Sequence, residues 1–340
     1  MARMSRIGGR CGIHSGSGHF KNFEVDNVLL VGGTSVGPLF RAVFYVDPTS
    51  GNDQNDGLSW DFPLKSIQAA VNKVVDRLGT LILVGPGKIQ ENVLLEKNHD
   101  AVYIKSVAGP WETQWRPSDG LSGPGAAVYA FTDTNTEAGS ATGIGLFVGA
   151  RGCTIDGFCF DGGGGYVGMV VGDGYGVGDV TQGTSQNAAS CRIINCLFNN
   201  GNEGTAIPGL VLKGCSSNVI VENNSFEKCD YGVYIASGSG KTNISPIIRN
   251  NHFYGCSTYG VYKANENTDI NVQVIGNTFL DGSGATMTFA VKLQGTGQHF
   301  MAGNRFGCTN SESLSATDFA SGNFLSVTGK TTNATYVSEA

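Results

Sequence analysis

Val219-Ile-Val-Glu-Asn-Asn-Ser-Phe226, Ile247-Ile-Arg-Asn-Asn-His-Phe253, Val272-Gln-Val-Ile-Gly-Asn-Thr-Phe279 and Phe300-Met-Ala-Gly-Asn-Arg-Phe306 carry one phrase four times. Each copy ends in Asn-x-Phe, and the Asn falls at 224, 251, 277 and 304, in steps of 27, 26 and 27 residues. Self-similarity at a fixed period of this size marks a stacked repeat. A second phrase keeps the same time. Leu210-Val-Leu212, Val233-Tyr-Ile235, Val261-Tyr-Lys263 and Val291-Lys-Leu293 each follow a Gly or Ala, with the alternation of a strand. One repeat therefore holds several short strands and no regular helix, which excludes the helical solenoids. A propeller blade needs roughly 40 or more residues per unit. The remaining solution is an all-β coil with about three short strands per turn, a parallel β-helix. Asn224, Asn251, Asn277 and Asn304 are expected to stack at one corner, in the left-handed conformation a sharp turn needs. Phe226, Phe253, Phe279 and Phe306 are expected to stack inside. These eight residues read as scaffold rather than site.

Working outward, the composition fits this fold. The chain holds 51 Gly in 340 residues and 15% charged residues, against usual shares of about 7% and ~25%. Gly-rich turns between short strands are expected of all-β architecture. Nine Cys, at 11, 153, 159, 191, 196, 215, 229, 256 and 308, form no C-x-x-C pair and read as reduced, mostly buried side chains. Cys191 and Cys196 lack a second pair at zinc spacing. Residues 1–23 have no apolar run of the length a secretory signal requires, and no stretch of about 20 apolar residues reads as a membrane span.

Toward the N-terminus, Phe44-Tyr-Val-Asp47, Gly51-Asn-Asp53, Asn55-Asp-Gly57, Pro63 and Ile67-Gln-Ala-Ala70 follow one another. This order resembles the opening of the pectate-lyase-like right-handed β-helix family, where a strand, a Gly-Asn-Asp turn and a Pro-x-x-x-Ile-Gln-x-Ala helix precede the first coil. The resemblance implies a single-stranded right-handed parallel β-helix and no particular activity. Ile67, Ala70, Val71, Val74, Val75 and Leu78 form one apolar stripe, with Ser66 capping and Gly79 ending a helix that covers the mouth of the stack. The expected division is an extended arm over 1–43, a strand and capping helix over 44–80, and coils over 81–340. Lateral loops are expected near 109–125 and 172–190.

A polysaccharide-cleaving enzyme would need acid chemistry on this frame. Glycoside hydrolysis needs two carboxyl groups facing one groove. Asn267-Thr-Asp269 matches one element of the polygalacturonase-like pattern, but Asp-Asp and Gly-His-Gly are absent from the sequence. Asp156 and Asp161 flank the expected strand Gly157–Phe160 and would meet at one corner in a Ca²⁺ site, although acids so placed are more often solvated turn residues. His14, His19, His99, His252 and His299 are dispersed. No catalytic residue, metal or cofactor is expected. Were the chain an enzyme, it would degrade polysaccharide.

Two features point to contacts instead. Strand alternation turns Phe147, Val170, Val211, Tyr234 and Tyr262 away from the coil interior. The expected result is a stripe of exposed apolar residues up one face, which marks a protein contact or a sugar-binding platform; buried around a threefold axis it would close a homotrimer. Residues 1–23 hold Arg3, Arg6, Arg10 and Lys21 and no acid, a local +4 that leaves −10 for the rest of a chain of net charge −6. A basic arm on an acidic body reads as an anchor, with Val28, Leu29, Leu30 and Val31 as an accompanying strand. The combination resembles virion proteins of tailed bacteriophages, made in the host cytoplasm without a signal peptide. The resemblance implies a trimeric capsid decoration (cement) protein held by its arm to the major capsid protein or another virion protein. The alternative is a tail spike or fibre that binds host-surface polysaccharide. Neither nucleic acid nor membrane is expected as a partner.

Overall fold

The computed structural model describes residues 29–31, 34–36, 40–75, 79–115, 143–161, 166–172, 187–199, 207–214, 216–236, 243–263, 271–283, 286–294, 298–309, 312–313, 319–321 and 324–325. Apart from a small antiparallel pair, Leu29–Val31 with Thr34–Val36, the strands fall into three parallel sheets of ten, nine and eight strands. The first sheet runs from Ala42–Val46 to Phe319–Ser321, the second from Gly87–Ile89 to Phe324–Leu325, the third from Val93–Leu95 to Glu312–Ser313. The chain visits the three in rotation, and each strand pairs in register with its counterpart one repeat on. This is a parallel β-helix, as the repeat period requires.

The interior is built of ladders. Phe160, Phe198, Phe226, Phe253, Phe279 and Phe306 occupy one register position of the second sheet. Their rings stack at 4.7–5.2 Å between centroids, close to the 4.7–4.9 Å strand spacing that sets the rise per coil. A column of small residues, Gly168, Gly209, Gly232, Gly260 and Ala290, lies one or two residues inside the start of five third-sheet strands. A Cβ at Gly232 or Gly260 would come within 2.6 Å of the Phe253 or Phe279 ring. The Gly that opens the second phrase is thus the space in which the Phe ladder lies.

The Asn ladder is present, with a different division of labour at the corner. The left-handed residue is the one before each ladder Asn: Asn223 at φ 57°, Asn250 at 56°, Gly276 at 66° and Gly303 at 65°. Asn224, Asn251, Asn277 and Asn304 themselves are buried and bonded along the axis. Oδ1 of Asn251 accepts from both the backbone N and Nδ2 of Asn224, at 2.9 and 3.0 Å, and the same pair of bonds links Asn251 to Asn277 and Asn277 to Asn304. Each Nδ2 also donates to a backbone carbonyl of the preceding coil. The ladder continues to Cys196, whose backbone N donates to Asn224 Oδ1 at 2.8 Å. Buried polar groups must find partners, and this column supplies its own.

The helix over the first coils is shorter than the apolar stripe predicts. It spans Ile67–Val71, with the Ser66 hydroxyl accepting from Ala69 N. Beyond it, Lys73 N and Val74 N bond three residues back, to Ala70 O and Val71 O. The tighter turn rotates the following residues, and Val75 is exposed instead of joining the stripe. Gly79 is left-handed, φ 63°; Leu78 lies outside the described residues. The N-terminus of the helix is held from two directions. Asp53 Oδ1 accepts from Lys65 N and Ser66 N, and Glu91 accepts from Ile67 N and Gln68 N. The Asp of the Gly-Asn-Asp turn is therefore a helix-start anchor.

Two further boundaries shift. The strand Ala42–Val46 pairs along its length with Thr80–Val84 and so belongs to the first sheet. Thr113–Trp115, expected within a lateral loop, is a strand of the second sheet paired with Gly87–Ile89. Within the second expected loop, Ala188 is buried in the core and Ala189 O accepts from Gly152 N, so the coil has resumed by that point.

Candidate functional site

The outer faces of the coil carry two arrays, one polar and one apolar. On the first sheet, register brings Tyr103, Thr154 and Arg192 into one row, and Lys105, Asp156, Ile194, Glu222 and Arg249 into the next. Alternation sends Ile104, Ile155, Ile193, Val221 and Ile248 inward between them, all buried. The sequence places these charges tens of residues apart; the coil stacks them on adjacent strands.

Asp156 is the most enclosed member. It accepts from Tyr103 Oη at 2.6 Å and Asn195 Nδ2 at 2.8 Å, and Lys105 Nζ lies at 3.4 Å. Burial first, then the bond to and charge of Asp156, raise the Tyr103 hydroxyl above its ordinary value. Glu222 is gripped by two guanidinium groups, Arg249 at 2.9 Å and Arg192 at 3.7 Å. The side chains of Lys105, Arg192 and Arg249 remain 46%, 47% and 40% exposed. A guanidinium carries five donors and an ammonium three, so each cation has more donors than its carboxylate partner takes up. The arrangement can hold a polar ligand along the sheet. Asp156 was visible in the sequence, whereas Tyr103, Arg192 and Arg249 were legible only once the register of the first sheet was known.

The apolar stripe lies on the third sheet in the register expected: Phe147, Val170, Val211, Tyr234 and Tyr262 pair in one outward row. Its exposure is corrected. All five are at most 1% exposed and belong to a second apolar cluster, separate from the coil interior, with Ile144, Val167 and Tyr231. Tyr231, Tyr259 and Tyr262 pack ring to ring, and Lys292 Nζ sits 5.0 Å from the Tyr259 ring centre and 5.2 Å from that of Tyr262. Alternation reports which way a side chain leaves the strand, not what covers it. The stripe is buried within a single chain.

The seven cysteines among the described residues are buried and form no disulfide. Burial pushes the thiols of Cys159, Cys196, Cys256 and Cys308 up to about 12, so they are not nucleophiles near neutral pH. His299 is pushed down to about 4, by burial and then by Lys263. No group of three or more His, Cys, Asp or Glu side chains suited to a metal occurs among the described residues, and the Asp156 carboxylate is occupied by protein donors. Arg3, Arg6, Arg10, Lys21, Val28 and Asn267-Thr-Asp269 lie outside the described residues. Leu29, Leu30 and Val31 form the first strand of the antiparallel pair. No helix among the described residues is long and apolar enough to cross a membrane.

A family described as "Right handed beta helix region" matches residues 189–306. Among solved structures, the chain is similar to the pectate lyase Pel9A, at 16% identity over 84% of this chain and 80% of that one, TM-score 0.48. It is similar to YbhC of Escherichia coli at 12% identity over 84% and 79%, TM-score 0.49. The pectin methylesterase PemA from Erwinia chrysanthemi matches at 8% identity over 88% and 93%, TM-score 0.43. No curated protein matches the chain. The stacked parallel sheets and the matched family region agree on one architecture, a right-handed parallel β-helix.

Proposed function

We propose that the protein is a structural virion protein of a tailed bacteriophage, a trimeric capsid decoration protein attached by its N-terminal arm. The observation that carries this reading is the polarity of the stack. Ala42–Val46 is the terminal strand of the ten-strand sheet, so residues 1–39 join the body at one end and the coils rise away from it. The short helix packs beside that end and covers it. Ten strands at about 4.8 Å make a body roughly 43 Å tall. The local +4 of residues 1–23 against −10 in the remainder gives the two parts different preferred surroundings. Interior ladders that satisfy their own polar groups suit a scaffold.

The test uses particles lacking the protein. Full-length chain should bind them and chain lacking residues 1–39 should not, and binding should weaken with salt, as the screening length falls from about 10 Å at 0.1 M to about 3 Å at 1 M. Equal binding of the truncated chain would remove the arm from the reading. A second reading, binding or degradation of host-surface polysaccharide, is favoured by the two adjoining rows that hold Tyr103 and Arg192, and Lys105 and Arg249, with three half-exposed cations on stacked strands. Incubation with capsule-type and pectin-type polysaccharides is expected to release neither reducing ends nor unsaturated products. Release that is abolished by Asp269→Ala or Asp156→Asn would establish an enzyme instead.

A further inference from the structure

Leu58, Trp60, Phe62, Val107 and Trp111 are exposed by 59%, 45%, 61%, 48% and 73%. They are five of the seven large apolar side chains exposed among the described residues, and the fold brings them to one corner. Trp60 lies edge-on to Tyr45, ring centres 5.0 Å apart, and its ring is 3.5 Å from where a Cβ on Gly85 would stand. One coil on, Val107 N donates to Val84 O and Gly87 N donates to Glu112 O. Val107 and Trp111 therefore sit in the turn between Val102–Ser106 and Thr113–Trp115, which lies alongside Gly85-Pro86-Gly87, and Trp60 packs over Gly85.

The turn that presents the patch is held in shape. Asp56 Oδ1 accepts from Leu58 N, Gly57 N donates to Phe62 O, and Phe62 N donates to Ser59 O. Leu64, directly after Pro63, is fully buried. Pre-ordered aromatic groups lose little freedom on binding. With about 150–250 Å² per aromatic side chain, the five exposed fractions amount to on the order of 600 Å², the top of the range for a monomer's largest apolar patch. A standard protein interface takes about 800 Å² per partner. The exposed charges next to the patch in sequence are of both signs: Asp56, Asp61 and Glu112, with Lys65 and Lys88. A patch with an apolar, aromatic centre and a mixed-sign rim complements a copy of itself better than a surface of one charge.

We propose that this corner is the contact between copies of the chain, taking the role first expected of the buried Phe147–Tyr262 row. The inference rests on the assembly in the proposed function and replaces its interface. It is tested by sedimentation velocity of the full chain over a concentration series, alongside Leu58→Ser/Phe62→Ser and Trp111→Ser. Residues this exposed are replaceable at little cost in folding, and an unchanged circular dichroism melt checks this. The wild type should self-associate, its tryptophan emission moving to the blue and resisting acrylamide as concentration rises. Both variants should dissociate about 100-fold more readily or worse, as loss of an aromatic or apolar anchor implies. A wild type that stays monomeric throughout, or variants that assemble like the wild type, would overturn the proposal. So would loss of assembly on deleting residues 1–39 alone, an outcome that leaves attachment by the arm intact.

Discussion

Adding one methyl group at Gly232 should destabilise the coil more than its size suggests. Gly232 is not in the left-handed region, so backbone strain plays no part. The cost is steric. The new Cβ would lie 2.6 Å from Gly260 O and 2.6 Å from two atoms of the Phe253 ring. The carbonyl is fixed by the sheet, and the ring is clamped between Phe226 and Phe279 at 4.8 and 4.7 Å. Overpacking of a close-packed interior costs about 1–3 kcal/mol, and a site that yields on neither side belongs at the upper end. Restricting the unfolded chain returns about 0.4–1 kcal/mol. The net loss is on the order of 2 kcal/mol, a fall in thermal midpoint of about 3 °C for a chain of this length. Gly209 is the internal comparison. There the nearest atoms are Cys229 Sγ at 3.0 Å and Gly232 O at 3.2 Å, and a thiol at the end of its side chain is able to give way, so Gly209→Ala should cost under about 1 kcal/mol. Ala290 occupies the same column naturally, where the adjoining rings Phe279 and Phe306 stand 5.2 Å apart and tilted by 15°. Thermal unfolding followed by circular dichroism ranks the variants. A Gly232→Ala protein that melts with the wild type, or a Gly209→Ala protein that loses as much, refutes the account of the Gly column as the seat of the Phe ladder.

Asn251→Ala removes the acceptor shared by Asn224 N and Nδ2 and the donor to Val221 O, and should cost at least about 2 kcal/mol in urea unfolding, since buried unpaired groups cost about 1–3 kcal/mol each. At the neighbouring left-handed position, Asn250→Gly should be nearly neutral and Asn250→Val should cost about 1–2 kcal/mol; equal losses would misplace the corner. Burial pushes the Glu91 carboxyl up to about 7 despite its two backbone donors. The folded state therefore holds this proton more tightly than the unfolded state, and the associated stability, up to about 3 kcal/mol, is complete below pH 4.5 and lost as pH rises through about 7. Melting of wild type against Glu91→Gln across that window should show the slope only in the wild type. Tyr234→Ala should lower stability by about 3–5 kcal/mol, as for other buried aromatic side chains, while leaving the sedimentation behaviour of the folded fraction unchanged.

The sequence by itself determined the coil, because period, alternation and corner residues are local properties repeated every 26–27 positions. The Asn-x-Phe spacing alone identifies a stack, its inward column and its axial hydrogen bonds. The Ser66 cap was legible for the same reason, since it acts within a few residues of itself, whereas the helix ends at Val71, well before the Gly79 expected to stop it. Only the tertiary structure decided what covers each outward face. Alternation turned Tyr234 away from the coil interior, yet it is fully buried, while Leu58, an apolar residue the local pattern did not single out, is 59% exposed. Nor does a local pattern reveal that Lys105, Asp156, Glu222 and Arg249 share one row. Register converts separations of 27 to 51 residues into neighbouring strands. Direction off a strand is set by the residue's own backbone, whereas burial and charge pairing depend on chain that returns from far away, and only the folded coil brings that chain back.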